Sequence, residues 1–255
     1  VSKAEAETFG HTLARVQNQC TAEALAELYR VDVLFARVAK AEHLPADALR
    51  MILADAKTQW ANACRLLALG PTHSSLVAVH EVGGSYRPVL RLLSPTRLDY
   101  LESELGRFGE HVRVIDQYWY SGGETMGAGL IRNVRTTRAR HASGEQVDPS
   151  LVSKFFAARD ARDVKTLLAA HEAFPPTLRD DKYYLGVVLK VLADSGDDAT
   201  YLAHIERFER LFPGDAALDI VSLDGFRLRK EYDRLHATID RLRHRVDDPY
   251  LDVLH

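Results

Sequence analysis

The chain has 255 residues, 46% apolar and 27% charged, a globular balance that excludes a disordered chain and suffices for one large or two medium domains. Lys and Arg number 33 against 36 Asp and Glu, and the net charge of -3 excludes whole-chain attraction to nucleic acid or anionic lipid. No run of 18 apolar residues exists, so no membrane span is expected, and the opening VSKAEAET lacks the apolar stretch of a signal peptide, which leaves the compartment open. Cys20 and Cys64 are too few for a disulfide framework and form no zinc pattern; one disulfide or two buried thiols both remain open.

The first 70 residues carry a helical period. Phe9, Leu13 and Val16, then Leu25, Leu28 and Val31, recur at three- and four-residue spacing. Thr21 suits the N-cap of the second stretch, with Glu23 in its first turn. Pro45–Leu69 reads as a long helix with Leu49, Ile52, Leu53, Ala56 and Trp60 in one stripe, ended by Gly70-Pro71.

From Ser74 to Tyr120 the period becomes two. Leu76, Ala78, His80 and Val82 alternate with Val77, Val79 and Glu81, and Gly83-Gly84 turns into Tyr86–Leu93. A third strand spans Arg97–Leu105, and Phe108-Gly109-Glu110 turns toward a fourth, His111–Tyr120. Simple alternation places Val112, Val114, Asp116, Tyr118 and Tyr120 on one face of that strand, with Arg113, Ile115, Gln117 and Trp119 on the other. Short connections make this an antiparallel meander, and helices packed on one side make an α+β domain.

A helix over Glu124–Arg140 follows Gly122-Gly123, and Ala142-Ser143-Gly144-Glu145 reads as a linker. Six further helices are predicted: Pro149–Arg159, Val164–Phe174, Asp181–Ser195, Ala199–Phe212, Ala216–Phe226 and Tyr232–Val246. The turns Phe174-Pro175, Phe212-Pro213 and Asp248-Pro249 recur at intervals of about the length of a helical-hairpin repeat. Tyr184, Val187, Val188 and Val191, followed by Tyr201, Ile205, Phe208 and Leu211, form stripes that stacked hairpins bury against each other.

On this spacing, residues 148–255 resemble tetratricopeptide repeats, without most of their small-residue positions or the Trp near the repeat start. Such arrays present a groove to a peptide or partner domain, which is what the resemblance implies. Residues 4–123, with helices before a meander that ends in VIDQYWYSGGE, resemble the nuclear-transport-factor-2-like superfamily, the cystatin-type cone. More helix precedes the sheet than that superfamily needs. Its members include enzymes, ligand binders and partner-binding domains, so the resemblance does not choose among them.

Candidate chemistry is sparse. An Asp on an apolar strand face has a raised pKa unless it is hydrogen-bonded, so Asp116 is the candidate general base, with Tyr118 or Tyr100 to steady an oxyanion. The plainer alternatives are an Asp116 bonded to a backbone amide, one paired with Arg91, or a solvent-facing strand face. The eleven histidines form no HExxH and no i, i+4 pair, His80 reads as a strand-face residue, and no metal site or cofactor is expected. The glycine-rich stretch Gly122–Gly129 lacks a phosphate-loop ending. Arg132, Arg135 and Arg138 form a loose helical stripe that reads as a solvated face or a source of interdomain salt bridges, or else as a surface for an acidic partner, with no interleaved aromatic for nucleic acid. Residues 1–145 hold 17 basic and 16 acidic side chains and the remainder 16 and 20, so docking of the basic helix on the acidic half is a further expectation.

The sequence therefore predicts an α+β fold: N-terminal helices on a curved antiparallel sheet in residues 1–145, then an all-α helical-hairpin repeat in 146–255. The leading function is a non-enzymatic interaction module that takes a protein or peptide in the repeat groove, with a homodimer left open. The alternative is a small-molecule or isomerase/lyase-type pocket in the N-terminal cone.

Overall fold

The computed structural model describes residues 1–19, 22–47, 50, 73–94 and 97–254. The Thr21 cap, both cysteines and most of the helix expected over Pro45–Leu69 lie outside the described residues.

The architecture is α+β, with every strand before the helical half. Helices α1 (Lys3–Gln19), α2 (Ala22–Leu28) and α3 (Val31–Ala41) precede strands β1 (His73–Val82), β2 (Ser85–Leu93), β3 (Leu98–Phe108), β4 (His111–Trp119) and the short β5 (Glu124–Thr125). The strands form one antiparallel sheet in chain order. Two compact units result: Val1–Tyr120 with Glu124–Arg132 and Leu242–His255, and Ser121–Gly123 with Asn133–Arg241.

In the sheet unit, the predicted stripe of Phe9, Leu13 and Val16 lies against Leu90, Leu92, Leu101 and Leu105, and Leu25 and Tyr29 close the same core. Gly10 permits the close approach of α1. A Cβ there would stand 2.7 Å from Leu76 Cδ1 and 2.9 Å from Pro88 Cβ. Gly83 and Gly84, at φ +59° and +76°, make the two-residue turn that sets the β1–β2 register.

Two bulges correct the simple alternation. The β3–β4 register runs Glu104 to Asp116 but Leu105 to Val114, leaving Ile115 as the extra residue. Val112 and Val114 therefore pack with Trp119 in the helix-covered core, and Asp116 does not share their face as alternation predicts. The β1–β2 register likewise skips Val77, so Leu76 faces the core while Ala78 and His80 align with Val89 and Arg87. An extra residue shifts the side-chain phase by one and inverts every position beyond it.

Helix α4 (Met126–Ser143) follows β5, beginning two residues later than Glu124. The helical unit continues through α5 (Pro149–Ala161), α6 (Val164–Glu172), the single turn α7 (Pro176–Arg179), α8 (Lys182–Leu192) and α9 (Asp198–Leu211). The stretch expected as Ala216–Phe226 is two short helices, α10 (Leu218–Val221) and α11 (Leu223–Arg229). They part at Ser222, whose φ of -86° and ψ of -7° open the helix. Helix α12 (Tyr232–Val246) and the turn α13 (Leu251–Leu254) complete the chain's elements.

Successive helices pack in order, α5 on α6, α6 on α8 and α8 on α9, consistent with a helical repeat region. Phe155, Leu167, Phe174, Val188 and Leu192 fill one core, while Leu185, Leu189, Ile205 and Phe208 fill the next. Asp148, Asp163, Asp181 and Asp197 each accept a backbone N–H at the start of α5, α6, α8 and α9. Asp248-Pro249, the third of the evenly spaced turns, belongs instead to the sheet unit. Among the described residues no helix is long and apolar enough to cross a membrane.

Candidate functional site

The sheet face away from α1 and α2 is polar, and strand register assembles it. Pairing sets His80 opposite Arg87, Arg91 opposite Tyr100, Glu102 opposite Tyr118 and Glu104 opposite Asp116. Three clusters occupy it.

The first is centred on Glu102, whose side chain is 13% exposed. His80 Nδ1 lies 3.0 Å from Glu102 Oε2, and Arg87 Nη1 donates to Oε1 at 3.3 Å. Burial works to raise the Glu102 carboxyl, but the bond and charge of His80 and the Arg87 guanidinium outweigh it, holding the group below its ordinary value.

The second is a buried carboxylate brought from beyond the helical half. Asp248, 2% exposed at its side chain, takes Arg91 Nη1 at 3.0 and 3.1 Å and the Tyr100 hydroxyl at 2.8 Å. The backbone N–H of Tyr250 also donates to it at 3.0 Å, and the Arg91 guanidinium lies 4.7 Å from the Tyr250 ring centroid. Burial, then the charge of Asp248 and the bond to it, push the Tyr100 phenol far above its ordinary value, so it donates a proton to a hydrogen bond and does not serve as a base.

The third is aromatic. Tyr118 and Tyr120 meet edge to face at 5.1 Å, and Tyr100 and Tyr120 at 5.8 Å. Arg245 Nη2 donates to the Tyr118 hydroxyl at 3.1 Å, and its guanidinium sits 4.7 Å from the Tyr120 centroid. Burial, then the charge of Glu102, raise the Tyr120 phenol.

Tyr100 and Tyr118 thus belong to one aromatic row through Tyr120, and Asp116 has other work. Its Oδ1 accepts the N–H of Gln117 at 2.7 Å and that of Gly127, in the first turn of α4, at 3.1 Å. A Cβ on Gly127 would stand 2.8 Å from Asp116 Oδ2, so glycine lets the helix start against the strand. The cavity beside Asp116, lined by Tyr29, Leu34, Val114 and Met126, measures about 10 Å³, at the lower limit for a single water. Arg91 pairs with Asp248 and not with Asp116. An open depression of about 470 Å³ along α1 and β1 is lined by His11, Arg15, Asn18 and Ser75, and by none of the three candidates.

On α4, Arg132 Nη2 donates to Glu124 Oε1 at 2.8 Å, while Arg135 and Arg138 are exposed farther along the helix. On the polar face the His80 side chain is held by Glu102 and is 25% exposed. The sequence reads His80 as a strand-face residue, which it is, and Asp248 only as part of a turn, and it does not single out Glu102. The Gly83-Gly84 hairpin register carried the signal for His80 and Arg87, whereas nothing local pointed to Asp248.

Among the described residues, the one group of three side chains with metal-type donors in reach of each other, His171, Glu172 and His204, lies in the helical unit. Comparison with protein-family models, with curated proteins and with solved structures finds no match for this chain.

Proposed function

We propose that the chain is a non-enzymatic interaction module whose helical unit, tetratricopeptide-like in its stacking, receives a protein or peptide partner. The supporting observation is an aromatic patch on α5 and α8. Tyr183 is 49% exposed, with its ring 6.4 Å from Phe156 and 5.5 Å from Tyr184. Arg159 lies over Phe156 at 4.8 Å. Partly exposed tyrosine beside phenylalanine and arginine is the composition that interface anchors favour.

Selection of a displayed random-peptide library on the full chain tests this reading. Binders are expected, with affinity cut about tenfold or more by Tyr183→Ala, the loss typical of an interface anchor. A library without binders, or binders indifferent to that substitution, refutes it.

The second reading is a small-molecule site on the polar sheet face, favoured by the His80–Glu102 contact with Arg87 beside it. It predicts that His80→Ala abolishes stabilisation by small carboxylic acids in a thermal-shift screen.

A further inference from the structure

His171 sits at the end of α6 and is completely buried, with ring centroids of Phe155 at 6.1 Å and Phe174 at 6.2 Å. Neither of its ring nitrogens makes a hydrogen bond, and Glu172 Oε1 stands 4.0 Å from Nδ1, beyond hydrogen-bond distance. An imidazole always presents at least one polar nitrogen, so a buried ring with both unbonded lacks a hydrogen-bond partner. Glu172 follows it on the same helix, and His204 approaches from α9 with its ring 6.5 Å away. One donor atom from each of the three side chains lies within 4.8 Å of the other two.

We infer that His171, Glu172 and His204 form a binding site for a divalent transition ion of the zinc class.

Two imidazoles and a carboxylate are the donor set such ions take, and three protein ligands leave a fourth position for water. Donors that share one tetrahedral ion stand about 3.4 Å apart, so closing the site needs a contraction of at most about 1.4 Å between any two of them. His204 is prepared for ligation. Its Nδ1 meets the Thr200 carbonyl at 2.9 Å, and because a carbonyl only accepts, Nδ1 carries a proton and Nε2 is the nitrogen left to face an ion. His171 is held neutral by burial first and then by the positive charge of Arg207, and ligation requires the neutral ring.

The neighbouring charges permit the exchange. Arg207 Nη1 now donates to Glu172 Oε1 at 2.9 Å, and Arg179 stands 3.8 Å from Oε2. Arg207 also holds Asp180 at 2.6 Å, so it stays paired when Glu172 turns to the ion. Because α6 and α9 both supply ligands, the ion would fasten two helices of the array to each other.

The test is titration of Zn²⁺, and of Co²⁺ as an optical reporter, into the chelator-stripped full chain at neutral pH. The wild type is expected to bind one equivalent, to develop visible Co²⁺ bands and to melt at a higher temperature with Zn²⁺. The exposed Glu172→Gln and the half-buried His204→Gln avoid disturbing the core, and circular dichroism of each without metal checks its fold. Each should weaken binding by about 10- to 100-fold and abolish the thermal shift. A wild type without the Co²⁺ bands, or binding unchanged in both variants, overturns the inference.

Discussion

The two units meet the problem of a polar group away from water in opposite ways. On the sheet, Arg91 and the Tyr100 hydroxyl bond Asp248, and His80 and Arg87 hold the Glu102 carboxyl below its ordinary value. In the helical unit His171 makes no hydrogen bond, with Glu172 Oε1 4.0 Å from Nδ1, and desolvation, with Arg207 repelling added charge, pulls it down to about 4. Burial opposes charge in both units, and the groups within hydrogen-bond reach decide whether it is offset.

Acid and mutation should therefore damage the two units differently. The largest expected effect is at Asp248. Its replacement by alanine strands Arg91 and the Tyr100 hydroxyl and should cost about 3 kcal/mol, as for breaking a buried pair. Denaturant unfolding followed by hydrogen exchange at β2 and β3 measures it. A loss below about 1 kcal/mol, the range of an exposed pair, would erase the contrast.

Next is the pH response of His171. Its folded pKa lies below the ordinary 6.5, so the unfolded chain binds more protons between pH 6.5 and about 4, and stability falls as pH falls across that window. The contribution is on the order of 3 kcal/mol, complete above pH 6.5 and gone near pH 4. Glu102 behaves differently: its pairing holds above the ordinary glutamate value of 4.5 and is lost only as pH drops further. Hydrogen exchange in α6 and α8 should weaken before that in β2 and β3 on acidification, and His171→Leu should remove the difference.

The smallest effect concerns a helix start. Asp181→Ala removes the acceptor for the Tyr183 N–H and should cost about 1 kcal/mol in thermal unfolding, with Asp181→Asn nearly neutral.

Much of the frame was legible in the chain because the signals were local. The diglycine at 83–84 and the Gly109 turn each act within a few residues, and the hairpins stand where those signals put them. Side-chain facing was less legible. Whether Asp116 sits with Val114 depends on Ile115 being an extra residue, and a bulge leaves no mark in an alternating apolar pattern. The polar clusters were least legible. Tyr100 and Asp248 are 148 positions apart and Tyr118 and Arg245 are 127 apart, so pairing is a property of the folded chain alone. The histidines at 171 and 204 escaped for the same reason: a search for ligands one helical turn apart cannot see a site shared by two helices.

The position of Asp248 has a consequence for biosynthesis. Arg91 leaves the ribosome 157 residues ahead of its carboxylate, with the whole helical array translated in between. At about 5–20 residues per second, the nascent sheet waits about 8–30 s with that guanidinium unneutralised. A chain cut between Trp119 and Asp248 would keep the β1–β4 strands and lack the counterion of Arg91.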